Sequence, residues 1–261
     1  MAKPYRSRRR GVDGSDPYWI SFTDLMTAML TVFILAVVAL VVQLTRAEAS
    51  LAAEREVAEQ QRTQFEGQIQ ALQAAEDIRA EIVQEVAAEL EAQGIEVTVS
   101  ENNSVLRIPT ELLGFDQASH EIRPENQAAA LTIGNVLASA LQKDDRFQYI
   151  DTVFVEGHTD NRAYTGLDGT GNWGLSAFRA ISLWQLWEES LPSDAQLGDL
   201  RRPDGSPLFS VSGYGETRPV TAAQDTDAEL AANRRIEIRF TVVQPTAEDL
   251  EEILELSNQS S

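Results

Sequence analysis

The sequence predicts an α+β protein with one N-terminal transmembrane helix, a long helical stalk and a C-terminal domain of strands and helices. Three stretches support this prediction. Residues 25–42 carry no charge, residues 45–93 are rich in Ala, Glu and Gln without a proline, and residues 94–244 alternate short apolar runs with helical patterns. Such alternation predicts a sandwich with helices on one face of a mixed sheet.

The apolar stretch at residues 18–44 is long enough to cross a membrane. At about 1.5 Å of rise per residue, it covers the roughly 30 Å of a hydrocarbon core. A buried helix of a soluble protein is the alternative, but such helices seldom remain apolar on every side for so long. No small-x-small cleavage pattern follows cleanly, so we interpret the stretch as an uncleaved signal anchor.

The charge distribution predicts the orientation of this helix. The formal net charge of −20 argues against nucleic acid as a partner for most of the chain. By the positive-inside rule, the basic tail of residues 1–17 stays in the cytoplasm and the remainder lies across the membrane. A nucleic-acid-binding tail is the alternative. Residues 245–261 form an acidic tail. The basic side chains of the first ten residues are Lys3, Arg6, Arg8, Arg9 and Arg10.

One acidic residue, Asp24, lies inside the apolar stretch. A carboxylate in a membrane helix costs about 2.5–3.5 kcal/mol on insertion scales, which makes Asp24 a functional candidate. Helical spacing places Thr27 and Thr31 on the same face. Since a low dielectric favours the neutral form, such a carboxyl group can take up and release a proton. An interfacial Asp24, or one that caps the helix, is the alternative.

The motif W-I-S-F-T-D-L-M-T-A-M-L-T-V-F at residues 19–33 resembles the transmembrane helix of MotB-type stator subunits, the single-span partners in ion-driven rotary motors. The resemblance implies that Asp24 carries the translocated ion, either H⁺ or Na⁺, and that Thr27 and Thr31 line its path. It also implies a polytopic MotA-like partner and pairing of two copies of this chain.

The predicted stalk at residues 45–93 shows an interrupted coiled-coil pattern. A seven-residue apolar series stops at Arg79, and a four-residue spacing follows from Ile78 to Leu90. Two copies could pair along parts of it, and a lone solvated helix or a flexible linker is the alternative. The seven-residue series is Leu51, Ala58, Phe65 and Leu72.

The domain at residues 94–244 is predicted to contain five strands and two helices. The helices are expected at residues 124–141 and 175–189. The strands are expected at residues 95–99, 104–108, 149–156, 209–214 and 234–243.

Four motifs in this domain occur in a defined order: V-E-G-H-T-D at residues 155–160, N-x-x-L-S-x-x-R-A at 172–180, G-Y-G-E-T-R-P-V at 213–220 and N-R-R-I-E-I at 233–238. Together they resemble the OmpA C-terminal family, which binds peptidoglycan. The resemblance covers residues 105–243 and implies a βαβαββ domain.

This resemblance implies that Asp160 and Arg179 hold the diaminopimelate of a peptidoglycan stem peptide. Aspartate accepts hydrogen bonds from an ammonium group, and arginine binds a carboxylate with two parallel hydrogen bonds. A purely structural Asp160–Arg179 salt bridge is the alternative, as is an ordinary strand-edge charge for Arg234. Further residues of this site are expected to be Thr159, Asn172, Asn233 and Arg234.

We expect no catalytic residue, no metal site and no cofactor other than the transported ion. The chain has no cysteine, and no nucleophile–base–acid set appears, so an enzyme is not expected. His158 is interpreted as a packed, hydrogen-bonded histidine, with metal ligation or catalysis as the alternatives. The loop at residues 161–171 is longer than is usual in the OmpA family.

The order of the segments resembles a stator B subunit: cytoplasmic tail, ion-carrying helix, stalk and wall anchor. This implies a single-pass protein of the bacterial inner membrane with a periplasmic C-terminal domain. The helix motif, the short basic tail and the expanded loop look most like the B subunit of the Zorya anti-phage system, which implies the Zorya A subunit as partner. A flagellar MotB-type subunit and a passive tether between membrane and peptidoglycan are the alternatives.

Overall fold

The computed structural model describes residues 17–116, 118–166 and 168–244 of the chain. Most of the predicted basic tail and all of the predicted acidic tail lie outside the described residues. The chain divides into two compact units, Met1–Gln64 and Phe65–Ser261. Helix α1 (Pro17–Ala92) contributes residues to both units, and the other elements belong to the second unit.

The described part of the first unit, residues 17–64, is helical throughout. Within the described residues, one helix is long and apolar enough to span a membrane, and its most apolar window has a mean hydropathy of 2.8 with no buried residue. The hydroxyls of Thr27 and Thr31 each donate to the carbonyl oxygen four residues earlier, at 2.7 and 2.8 Å. Both hydroxyls are therefore satisfied within the helix. The predicted span exists as an apolar helix, and its passage through a membrane stays a prediction.

The described residues of the second unit form a mixed set of strands and helices. The strands are β1 (Thr98–Val99), β2 (Val105–Pro109), β3 (Ile150–His158), β4 (Phe209–Gly213) and β5 (Arg235–Val242). The helices after α1 are α2 (Thr110–Leu113), α3 (Pro124–Gln142), α4 (Gly171–Ser190) and α5 (Asp227–Asn233). Two 3-10 segments lie at Lys143–Tyr149 and Leu197–Asp199.

The five strands form one mixed sheet in the order β1-β2-β5-β3-β4. Strands β3 and β4 are parallel, and the other neighbouring pairs are antiparallel. From β2 through α3, β3, α4 and β4 to β5, the main elements follow the predicted βαβαββ order. The predicted α+β fold class is therefore confirmed. The described residues also contain the short elements β1, α2 and α5, which lie outside the βαβαββ order.

The two faces of the sheet differ in polarity, as the period of two along a strand requires. The apolar face packs against α3, α4 and residues 82–90 of α1 in one hydrophobic core. Part of the segment predicted as stalk therefore contributes to this core. The sheet residues buried in the core are Leu106, Ile108, Ile150, Val153, Val155, Ile236, Ile238 and Phe240. The other face carries polar and charged side chains of β2, β3 and β5: Arg107, Glu156, His158, Arg235, Glu237 and Arg239.

Two paired glycines let α4 lie very close to the sheet. Gly157 of β3 is in register with Gly213 of β4. A Cβ atom at Gly157 would lie 1.9 Å from the carbonyl oxygen of Ser176, and one at Gly213 would lie 2.3 Å from the backbone nitrogen of Ala177. Since no larger residue fits at either position, these glycines set the depth at which α4 packs. They thereby fix the place of Arg179, which follows on α4.

Candidate functional site

A cavity of about 360 Å³ lies where the chain leaves the end of β3. Its wall comes from α2, the loop after β3, the first half of α4 and the residue before β5. Five of the six predicted peptidoglycan-binding residues line it, namely Thr159, Asp160, Asn172, Arg179 and Arg234. The other lining residues that matter for its chemistry are Glu111, Phe115, Asp116, Arg162 and Tyr164.

Asp160 is the central acid of the cavity and is only 5% exposed. Its Oδ2 accepts from Nη2 of Arg162 at 2.6 Å and from Nη1 of Arg234 at 2.9 Å. Its Oδ1 accepts from the backbone N–H of Arg162 at 3.1 Å. Burial alone would raise the pKa of Asp160, but the hydrogen bonds from Arg162 and Arg234 outweigh it and hold this pKa below its usual value. Asp160 is therefore a carboxylate at neutral pH.

Arg179 is the central cation and is 4% exposed. Its Nε donates to the carbonyl oxygen of Ser119 at 2.8 Å, and its Nη2 donates to that of Asp116 at 3.1 Å. The guanidinium carbon lies 5.2 Å from the centre of the Phe115 ring. Burial lowers the pKa of Arg179 to about 10, so the side chain remains charged at neutral pH.

The salt bridges of the described residues do not include Arg179, although Asp160 lines the same cavity. A structural Asp160–Arg179 salt bridge is thus absent from the described part of the chain. The two opposite charges are instead held apart by separate partners. Asp160 has its two arginines, and Arg179 has backbone carbonyl oxygens.

Arg234 braces two elements and is more than a charge at a strand edge. It pairs with Asp160 at 2.9 Å and with Glu111 of α2 at 3.0 Å. Its side chain is 24% exposed. The geometry therefore gives Arg234 a positioning role at the cavity wall.

The remaining predicted residues have different surroundings. Asn172 donates from Nδ2 to the carbonyl oxygen of Arg162 at 3.0 Å and so holds the loop. The hydroxyl of Thr159 is buried without a hydrogen-bond partner among the described residues. Asn233 lies outside the cavity, because its buried amide bonds the backbone of Val220 and Thr221. It supports the loop before α5 and does not line the pocket.

Sequence reasoning missed Arg162 and Glu111. Arg162 lies two residues after Asp160, where the motif ends, and only the length of its loop was noted from the sequence. Glu111 lies on α2, a four-residue helix too short to produce a helical period. The signal that could have found them is their charge, since Glu111 closely follows a predicted strand and Arg162 closely follows a motif.

A buried charged cluster lies on the open face of the sheet at the end of β3. His158 is 1% exposed, stacks on the Tyr214 ring at 5.4 Å, and has Nε2 at 3.6 Å from Oε2 of Glu237. That distance is too long for a hydrogen bond. His158 is thus packed as predicted, but its ring nitrogens have no hydrogen-bond partner among the described residues. Burial lowers the pKa of His158, which favours the neutral ring.

Ligand atoms of Glu156, His158 and Glu237 lie within 4.8 Å of one another, as a metal site would require. Their carboxylates are already bound by arginines, however. Glu156 accepts from Arg239 at 2.6 Å, and Glu237 accepts from Arg235 at 2.8 Å. Because these cations neutralise the two acids, the cluster fits a network of ion pairs better than a metal ion.

Residues 114–234 match the OmpA family. This part of the chain is an OmpA-like domain. The uncharacterized protein YtxE of Bacillus subtilis is 25% identical over 235 residues, which cover 86% of this chain and 88% of that protein. This family match confirms the resemblance inferred from the four motifs.

Solved structures similar to this chain include two bacterial cell-envelope domains. The cell wall anchor of the type VI secretion system from Pseudomonas aeruginosa is 29% identical, with a TM-score of 0.44 over 60% of this chain and 95% of that one. The periplasmic domain of Helicobacter pylori MotB is 23% identical, with a TM-score of 0.41 over 63% of this chain and 90% of that one.

Proposed function

We propose that the OmpA-family domain binds the diaminopimelate head of a peptidoglycan stem peptide in the cavity beyond β3. The observation that carries this proposal is the separation of Asp160 and Arg179. A buried carboxylate and a buried guanidinium line one cavity without neutralising each other. A group with both an ammonium and a carboxylate complements this pair of charges.

Each end of the ligand head has a matching group in the cavity. The ligand ammonium donates to Asp160, and the ligand carboxylate accepts from Arg179. Thr159 also lines the cavity, and its buried hydroxyl has no hydrogen-bond partner among the described residues. A volume of about 360 Å³ is within the usual range for a small-molecule site and holds one amino-acid head.

Binding to isolated peptidoglycan tests this proposal. The full-length protein in detergent is sedimented with purified sacculi. Asp160→Asn and Arg179→Gln each weaken binding roughly ten- to hundredfold, because each removes a charge-assisted contact in a desolvated site. Arg202→Gln is the matched control, because Arg202 pairs with Asp151 away from the cavity. If both cavity variants sediment like the wild type while remaining folded, the proposal is wrong.

For the N-terminal segment, we propose that the apolar helix at residues 18–44 spans the bacterial inner membrane, with a cytoplasmic N-terminus and a periplasmic C-terminal domain. Asp24 carries H⁺ or Na⁺, and Thr27 and Thr31 line its path within a MotA-like partner that holds two copies of this chain. One charge that moves through 100 mV releases about 2.3 kcal/mol. That energy does work only against a fixed point, which peptidoglycan binding supplies.

The motor proposed is that of the Zorya anti-phage system, with the Zorya A subunit as partner. The support is the helix motif at residues 19–33, the short basic tail and the expanded loop after Asp160. A flagellar stator subunit has the same order of segments. A passive tether needs the peptidoglycan site but no titrating Asp24, and this difference separates the alternatives by experiment.

A further inference from the structure

We propose that Arg162 occupies the ammonium subsite of the cavity, so that a ligand binds by displacing this guanidinium from Asp160. This inference rests on the proposed binding of an amino-acid head. It adds an internal competitor, carried by the expanded loop, that sets both the affinity and the ligand preference of the site.

The contacts of Arg162 are those that a ligand ammonium needs. Its Nη2 and Nε donate to Oδ2 of Asp160 at 2.6 and 3.0 Å. Arg162 lines the cavity as well, so its guanidinium lies at the oxygen that an incoming ammonium would use. Both cations cannot use the same lone pairs, so the ligand and Arg162 exclude each other at this atom.

Of the two arginines on Asp160, Arg162 is the one that can leave. Its side chain is 51% exposed, against 24% for Arg234. Arg234 is also tied to Glu111 at 3.0 Å, whereas the ion pairs of the described residues join Arg162 to Asp160 alone. An ion pair with a half-exposed partner contributes little stability, so its exchange for a ligand ammonium requires little free energy.

The backbone of Arg162 has hydrogen bonds of its own, separate from the contact between its side chain and Asp160. Its N–H donates to Oδ1 of Asp160 at 3.1 Å, and its carbonyl oxygen accepts from Asn172 at 3.0 Å. The preceding N–H, that of Asn161, donates to Gln224 at 2.9 Å. The guanidinium can therefore swing into solvent without a movement of the loop.

This exchange makes the site selective for zwitterions. A ligand with an ammonium replaces the charge of Arg162, so Asp160 remains neutralised throughout. A ligand that offers only a carboxylate binds Arg179 and leaves Arg162 in place. The ligand class is thus an amino-acid head with a free amine, and Arg162 is a specificity-determining residue for it.

The test is a titration of the full-length protein in detergent with a stem tripeptide that contains diaminopimelate. Arg162→Gln removes the competitor and binds roughly two- to fivefold tighter than the wild type, the range expected for a half-exposed ion pair. Arg162→Lys keeps the charge without the bidentate geometry, so its affinity lies between those of the wild type and Arg162→Gln. With a tripeptide whose head amine is acetylated, Arg162→Gln shows no gain.

Two outcomes separate this inference from the proposed function. If Arg162→Gln binds the free-amine tripeptide with equal or lower affinity while Asp160→Asn and Arg179→Gln lose binding, the competitor role is wrong and the site stands. If Asp160→Asn and Arg179→Gln also bind like the wild type, the site itself is wrong. Thermal unfolding of each variant confirms that the compared proteins are folded.

Discussion

Two aspartates, Asp160 and Asp24, have opposite surroundings in this molecule. Asp160 is 5% exposed and bound by Arg162, Arg234 and a backbone N–H. Asp24 is exposed on α1, beside its helix neighbours Trp19, Thr23 and Thr27. The Asp160 carboxylate is hydrogen-bonded by groups of its own chain, whereas Asp24 has no side-chain hydrogen bond or ion pair with any residue that the structure describes.

The difference bears on which of the proposed functions one chain could perform alone. Every charged group of the proposed amino-acid site comes from the second unit itself. In the proposed membrane span, a carboxylate exposed to hydrocarbon costs about 2.5–3.5 kcal/mol, so the proposal requires polar surroundings for Asp24 from other helices. This contrast supports the proposal of a polytopic partner for the first unit.

The largest expected effect comes from Asp24→Asn. Asparagine has nearly the same shape but cannot take up and release a proton, so we expect complete loss of phage restriction by cells that carry the native locus. Plating efficiency of phage, at equal membrane abundance of the protein, measures this. Asp24→Glu is the matched control because it retains a carboxyl group, and it should keep partial activity.

Other outcomes of that assay decide between the alternatives. If Asp24→Asn restricts phage as well as the wild type, Asp24 carries no ion and the tether is favoured. If the wild type restricts no phage, the defence role fails. A flagellar stator then becomes the leading interpretation, tested by swimming motility.

The next effect compares two leucines of helix α1. Leu90 is fully buried in the core of the second unit, whereas Leu51 is 51% exposed in the first unit. Leu90→Ala should lower the free energy of unfolding of the domain by about 2–5 kcal/mol, through lost burial and a cavity. Leu51→Ala should change it by less than about 0.5 kcal/mol.

Denaturant unfolding followed by tryptophan fluorescence measures both values. The tryptophans Trp184 and Trp187 of α4 lie in or against the same core. Equal losses in the free energy of unfolding for Leu90→Ala and Leu51→Ala would contradict the contrast between the buried and the exposed part of α1. A reduced self-association of Leu51→Ala in detergent would instead assign that face of the helix to pairing of two copies.

A smaller effect concerns His158, next to the cavity. Burial lowers the pKa of His158 below its ordinary value of 6.5, so below this pH the unfolded chain binds a proton that the folded chain does not. Stability should therefore fall as the pH drops below 6.5, by at most about 1.4 kcal/mol per pH unit. His158→Gln should remove this slope.

Unfolding curves between pH 5 and pH 8 (about the range in which histidine titrates) test the slope. His120→Gln is the matched control, because the chain has 2 histidines and His120 is the other one. Retention of the full slope in His158→Gln would show that another group causes it.

The sequence predicted the main elements because their patterns are local. The strand at residues 149–156 is rich in β-branched residues and appears as β3 (Ile150–His158), and Pro124 opens α3 as expected. The charges at Asp160 and Arg179 were found through motifs. The separation of these two charges was not predictable from the sequence. It depends on the pairing of Asp160 with Arg162 and Arg234, and on two backbone carbonyl groups that are distant from Arg179 along the chain.

Tertiary packing explains the rest of the differences. The series Ile82, Val86 and Leu90 has the spacing of a buried helical face, but the core residues against which it packs are not visible in a local pattern. Asn233 looked like a ligand residue because a motif begins there. Its amide instead satisfies three backbone groups of a loop.

The smallest expected effect concerns helix α5, which the sequence analysis missed although T-D-A-E at residues 226–229 is a capping-box signature. The Thr226 hydroxyl accepts from the N–H of Glu229, and the Glu229 carboxylate accepts from that of Thr226. Thr226→Ala should cost about 1 kcal/mol of stability. Because α5 leads directly into Arg234, it should also weaken binding to sacculi, by less than Asp160→Asn. A variant with wild-type unfolding and binding would show that the cavity wall does not depend on this cap.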